Sequence, residues 1–178
     1  MTLYRVFPYD PSAAPTEPGG ALFRPSGGRG RIDNPTLYRT LYAGNEPECA
    51  IAELFGAYAV WDAAMFVHSS GLHYSLATLK SSGALSVWNM NDTEHLAQLE
   101  LHPTDVIVRD RDRTQQWAAR IFEMHRYSGI SWWSYYGPQW QSCGLWDLSG
   151  IQEVVVTALS IDDSIVRNAA NTIVRTIS

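Results

Sequence analysis

Three short stretches of this chain carry side chains suited to chemistry: "GGRGRIDNP" at 27–35, "CAIAELFGAY" at 49–58 and "GISWWSYYGPQW" at 129–140. The first sets Arg29 and Arg31 among glycines, with Arg24 just upstream. Glycines let a backbone turn tightly and aim its N–H groups at an anion, and a guanidinium binds phosphate oxygens two at a time. The stretch has neither the GxxxxGK[ST] of a P-loop nor a strand–GxGxxG–helix setting. A solvated surface loop is the ordinary alternative.

The second stretch has a single acid, Glu53. Asn45 is placed to cap a helix and Pro47 to open it. Ile51, Leu54, Phe55 and Tyr58 fall on one apolar face. Glu53 points elsewhere, and its neighbours one turn away are Cys49, Ala50, Gly56 and Ala57, all small. The carboxylate therefore has either open water or room for a ligand beside it.

A lone carboxylate with arginines suits a reaction that needs no general acid. Ordinary glycosidases use two carboxyl groups because the leaving oxygen must be protonated. Nicotinamide leaves NAD as a neutral molecule from a cationic ring nitrogen. The protein then has to hold the diphosphate, seat the nicotinamide and stabilise an oxocarbenium-like ribose with one anion. In the third stretch, strand alternation puts Trp132, Ser134 and Tyr136 on one face and Trp133 and Tyr135 on the other. Aromatic rings can sandwich a planar base, and Ser134 can hydrogen-bond a carboxamide or ribose. A core strand with a satisfied serine is the alternative. Ser134 lies outside any GxSxG.

Around these stretches the sequence predicts a strand at 1–9, a long Pro/Gly/Arg-rich loop at 10–35 and a strand at 36–44 leading into the Glu53 helix. Strand 71–80 and a short helix at 91–99 follow. Helix 110–127 sets Trp117, Ile121 and Phe122 on one face, and Asp112 with Gln115 resembles a capping box. An aromatic strand at 129–137, a buried strand at 153–161 and a terminal helix at 162–177 complete the order. The expectation is an α+β fold, one mixed α/β domain over 1–178.

With 46% hydrophobic and 17% charged residues among 178, the composition is globular. A net charge of −5 argues against a general nucleic-acid binder. Cys49 and Cys143 form no CxxC, and the five histidines no HExxH, so no metal is assigned. No signal-peptide pattern or membrane-length apolar run is present; a cytoplasmic protein is expected, although one exported without a cleavable signal would look the same.

"LYRVF", "GRIDNPTLYRTLYAGNEPECAIAELFG" and "GISWWSYYGPQW" together resemble the RES domain, named for its Arg, Glu and Ser. The resemblance covers most of the chain, and the second of these blocks carries it most strongly. It implies a fold similar to that of ADP-ribosyltransferases, consumption of NAD as substrate or transfer of ADP-ribose, and a toxin neutralised by an Xre-type antitoxin. By position, the family arginine falls on Arg31, its tyrosine on Tyr42, its glutamate on Glu53 and its serine on Ser134. Many members have an aromatic and an Asn after the arginine, where this chain has Ile32 and Asp33. Arg29 and Arg31 both stay candidates at this point, and so do water, phosphate and protein as acceptors. A catalytically silent binding module is the reading from another class.

Overall fold

Alternation along the first strand sets the plan. Leu3 and Phe7 are buried in one apolar cluster, while Tyr4 and Val6 pack against another on the opposite face. A sheet covered on both faces follows from that pattern. The computed structural model describes residues 1–81, 83 and 85–178. Its strands are β1 (Thr2–Pro8), β2 (Leu41–Gly44), β3 (Val60–Trp61), β4 (Tyr74–Ser81), β5 (Val87–Asn89), β6 (Gly129–Trp133), β7 (Gln141–Leu145), β8 (Ile151–Ala158) and β9 (Thr176–Ile177). Its helices are α1 (Pro47–Phe55), α2 (Thr93–Gln98), α3 (Pro103–Ile107), α4 (Arg111–Phe122) and α5 (Ser164–Thr172). Seven strands form one sheet in the order β5-β6-β7-β2-β1-β4-β8, antiparallel except at β5–β6. The fold is mixed α/β, as expected.

Register decides which side chains share a face. Tyr42 pairs with Gly144, and Gly44 with Ser142, so Tyr42 and Ser142 point to the same side. On that side α1 and α5 bury Ile51, Phe55, Val166 and Ala169 in one cluster, while α4 buries Trp117 and Ile121 against Ile130 and Trp132 in another. Tyr42 and Ser142 therefore lie on the sheet between two helical layers. A Cβ on Gly44 would come within 2.9 Å of Cys49 Sγ and 3.0 Å of the Ala50 nitrogen, so glycine there lets α1 settle close to the sheet. The other face is filled by Leu41, Leu79, Leu145 and Ala21, the last from the long loop.

Several expectations change. The segment at 153–161 is not the most buried strand; β8 is the outer edge of the sheet, and Val154 and Val155 are exposed. Strand 36–44 shortens to Leu41–Gly44, and the aromatic strand ends at Trp133, just before Ser134. The helix at 110–127 ends at Phe122, and the cap is Asp110, which accepts from the Arg113 N–H at 3.2 Å. The terminal helix stops at Thr172; Val174 adopts a left-handed φ of 55°, and β9 then pairs with β3. Leu54 and Tyr58 are exposed, so the buried face of α1 is Cys49, Ala50, Ile51, Ala52 and Phe55. Asn45 does not cap α1: its Oδ1 accepts from the Gln141 N–H at 2.8 Å and ties the helix entry to β7.

Candidate active site

Glu53 sits on the exposed side of α1 but is not merely solvated. Its Oε1 accepts two hydroxyl hydrogen bonds, from Ser134 Oγ and from Ser142 Oγ, each 2.7 Å. Both serines are buried. Each is held by its backbone: the Ser134 N–H donates to Trp140 O at 2.9 Å, and Ser142 lies in the β2–β7–β6 ladder. The Tyr136 N–H donates to Ser134 Oγ at 3.2 Å, leaving that hydroxyl proton for Glu53. Oε2 has no hydrogen-bond partner among the described residues. One carboxylate oxygen is thus fixed and the other is available.

The small residues around Glu53 have specific neighbours. A Cβ on Gly56 would fall 2.6 Å from the Tyr136 ring, so glycine lets this tyrosine pack on the end of α1. Arg175 donates from Nε and Nη2 to Gly56 O at 2.9 and 2.7 Å, satisfying a carbonyl that ends the helix. Cys49 is buried, and burial first, then the Glu53 charge, push its thiol up to about 12. It is a packing residue and not a nucleophile at neutral pH.

Arg31 forms the second pole. It is half-buried, and its Nη1 donates to Val106 O and, at 3.2 Å, to Val108 O. Burial lowers its pKa most and the neighbouring charge of Arg111 adds to that, while Glu53 and Tyr42 act in the opposite direction. A guanidinium remains charged at neutral pH under such influences. Glu53 and Arg31 therefore lie within each other's field. Arg29 is exposed and makes no hydrogen bond or ion pair among the described residues. Of the two candidate arginines, Arg31 is the one built into the cleft.

The loop carrying Arg31 is anchored at several points. Thr114 Oγ1 donates to Arg31 O at 2.6 Å, and Gln115 Nε2 donates to Gly28 O at 3.1 Å and Gly30 O at 2.9 Å. Gln115 serves here instead of in a capping box. Ile32 is fully buried, which explains an aliphatic residue after the arginine. Asp33 takes the Tyr42 hydroxyl at 2.8 Å on Oδ1 and the Gly30 N–H at 2.7 Å on Oδ2. The Tyr42 oxygen in turn accepts from the Ile32 N–H at 3.1 Å. Burial raises the Tyr42 pKa strongly, so it stays a neutral phenol. A Cβ on Gly30 would sit 2.1 Å from the Tyr42 hydroxyl, so only glycine allows this approach.

The structure thus brings Arg31, Tyr42, Glu53 and Ser134 together on one face of the sheet, Ser134 bonded to Glu53 and Arg31 in the field of Glu53 and Tyr42. Sequence reasoning missed Ser142. The only local signal was its alternation with Gly144, which places it on the face of Tyr42 once the register is known. A separate concavity of about 620 Å³, lined by Glu46, Glu48, Trp140, Asn168 and Asn171 among others, lies at the other end of α1 and includes none of the four. No group of three or more His, Cys, Asp or Glu side chains suited to a metal occurs among the described residues.

A family model described as the RES domain matches residues 2–162. The chain belongs to the RES domain family. Its fold is similar to that of a chain in the crystal structure of the M. tuberculosis MbcT–MbcA toxin–antitoxin complex, with a TM-score of 0.60 over 97% of this chain and 88% of that one. Sequence identity between the two is 15%, so this likeness concerns the fold. No curated protein matches the chain in sequence. Of the blocks that carried the RES resemblance, the second supplies Arg31, Tyr42 and Glu53, and the third supplies the Ser134 that donates to Glu53.

Proposed function

We propose that this RES protein is a toxin that consumes NAD by cleaving its nicotinamide–ribose bond. The observation that carries this reading is Glu53 held by two buried serine hydroxyls, with a free carboxylate oxygen, in the field of an anchored Arg31. In the proposed step the C–N bond breaks with its electron pair going to nicotinamide, which leaves neutral. The ribose takes on positive charge, and Glu53 stabilises it with a negative charge already oriented before reaction. Water then bonds to the ribose carbon and releases a proton to solvent. Arg31 binds the diphosphate, Tyr42 shapes the ribose pocket from below, and Ser134 both orients Glu53 and offers its oxygen to the substrate. The reaction requires NAD as substrate and no resident cofactor.

The family membership and the likeness to a chain of a toxin–antitoxin complex support a toxin role with an antitoxin partner, which we take to be of the Xre type and to act in the producing cytoplasm. No helix among the described residues is long and apolar enough to cross a membrane. The test is direct. Purified protein incubated with NAD should release free nicotinamide, and its expression in a bacterial host should lower the NAD pool before growth stops. Intact NAD after prolonged incubation, together with normal growth of a host making folded protein, would refute the reading. Mass spectrometry of a lysate treated with labelled NAD separates hydrolysis from ADP-ribosyl transfer to a protein.

A further inference from the structure

Two walls of the cleft meet at a contact that the reading above leaves unused. Arg31 holds the segment entering α4 through the carbonyls of Val106 and Val108. The next residue, Arg109, reaches across to Tyr135, the residue after Ser134. Arg109 Nη2 donates to the Tyr135 hydroxyl at 3.2 Å, and its guanidinium carbon lies 5.3 Å from the ring centroid. Each partner is thus the first residue beyond a fixed element of the site: Val108 on the Arg31 side, Ser134 on the Glu53 side. Both are exposed, and Tyr135 is 73% exposed, unusual for an aromatic. Tyr135 also stacks edge-on with Tyr136, whose ring feels the charges of Glu53 and Arg109 together. Among the described residues Arg109 has no carboxylate partner, although Arg113 pairs with Asp105 at 2.6 Å on the same stretch of chain. An exposed cation–π contact is weak, so a doubly charged anion beside it would displace the tyrosine from the guanidinium.

We infer that Arg109 is a second diphosphate-binding residue, which leaves Tyr135 to close with Arg31 on the two phosphates of the ligand. The inference rests on the NAD reading for the ligand's identity but not for the chemistry of binding. Two guanidinium groups on adjoining segments, Arg31 from the glycine-rich loop and Arg109 from the stretch that Arg31 holds, match the two charges of a diphosphate. A monophosphate would engage only one of them. Arg109 thereby favours dinucleotides and ADP-ribose over nicotinamide mononucleotide.

Calorimetric titration of the full chain with ADP-ribose, and separately with inorganic pyrophosphate, tests the clamp without any turnover. Arg109→Ala should weaken both by about tenfold or more, and Arg109→Lys should recover part of the loss. Tyr135→Phe removes only the hydroxyl that holds Arg109, and should bind both probes at least as tightly as wild type. Arg109→Ala binding within twofold of wild type would overturn the inference. So would a wild type that binds neither probe, or a Tyr135→Phe loss as large as that of Arg109→Ala, which would make the pair a structural contact. Nicotinamide release, measured alongside, separates the two claims. Binding through Arg109 without release leaves the clamp standing and refutes NAD cleavage; release with unaltered binding in Arg109→Ala does the reverse.

Discussion

Ser142→Ala removes one hydroxyl and nothing else from the cleft. Its Oγ is 2.7 Å from Glu53 Oε1, the same distance as that of Ser134 Oγ. A hydrogen bond to a charged acceptor is worth roughly 1.5–3 kcal/mol net. Glu53 is exposed, so water replaces part of that, and the lower end applies. No buried polar group is left without a partner, because the carboxylate keeps Ser134 and gains water. Stability should therefore fall by no more than about 1.5 kcal/mol. The cost should fall on orientation: a carboxylate with one tether rotates, and the transition state loses about 1–1.5 kcal/mol, roughly a tenfold drop in kcat. KM should move little, since Ser142 faces Glu53 and not the substrate. Steady-state nicotinamide release checks this, with thermal unfolding as the control. In a Glu53→Gln background the further change Ser142→Ala should do almost nothing, because the serine acts through the charge. Wild-type kcat in Ser142→Ala, or an equal loss in the Glu53→Gln background, would refute the reasoning.

Arg31→Ala should raise the Kd for ADP-ribose by about tenfold or more, while Arg29→Ala stays within twofold; calorimetry of both decides whether the anchored arginine is the binding one. The two thiols make a pH prediction. Burial pushes Cys49 and Cys143 up from 9.0 to about 12, so the unfolded chain ionises first. Their contribution to stability is complete below about pH 9 and is lost as pH rises toward 12, by at most about 1.4 kcal/mol per pH unit for each thiol. Denaturant melts from pH 8 to 10.5 should show stability falling once the pH passes about 9, and alkylation at pH 8 should label neither cysteine until the protein is unfolded.

Much of this arrangement was legible in the chain because it is local. Glu53 among small residues, Arg31 among glycines and Ser134 in an aromatic run are features of single segments, and the helix around Trp117 and Ile121 declared itself by period. What was not legible depends on partners distant in sequence. Ser142 reaches Glu53 across 89 residues through the register of β7 against β2 and β6. A run such as "VVVTA" reads alike in a central and an edge strand, and only the strand order put β8 at the rim. Leu54 and Tyr58 satisfy the helical period yet face out, because α1 packs through Ile51 and Phe55 together with the small Cys49, Ala50 and Ala52. Asn45 and Gln115 both carried capping signals, and tertiary contacts claimed their amide groups instead.

The central claim is that Glu53 acts through its negative charge. Glu53→Gln keeps the size of the side chain and an oxygen that can accept from Ser134 and Ser142, and removes the charge alone. The decisive measurement is nicotinamide release by this variant, on protein shown by circular dichroism and ADP-ribose titration to be folded and able to bind. The account predicts wild-type folding, ADP-ribose binding within a few-fold and a rate reduced by at least a hundredfold, about 2.7 kcal/mol of lost transition-state stabilisation. Turnover at the wild-type rate in the folded, ligand-binding variant would contradict it.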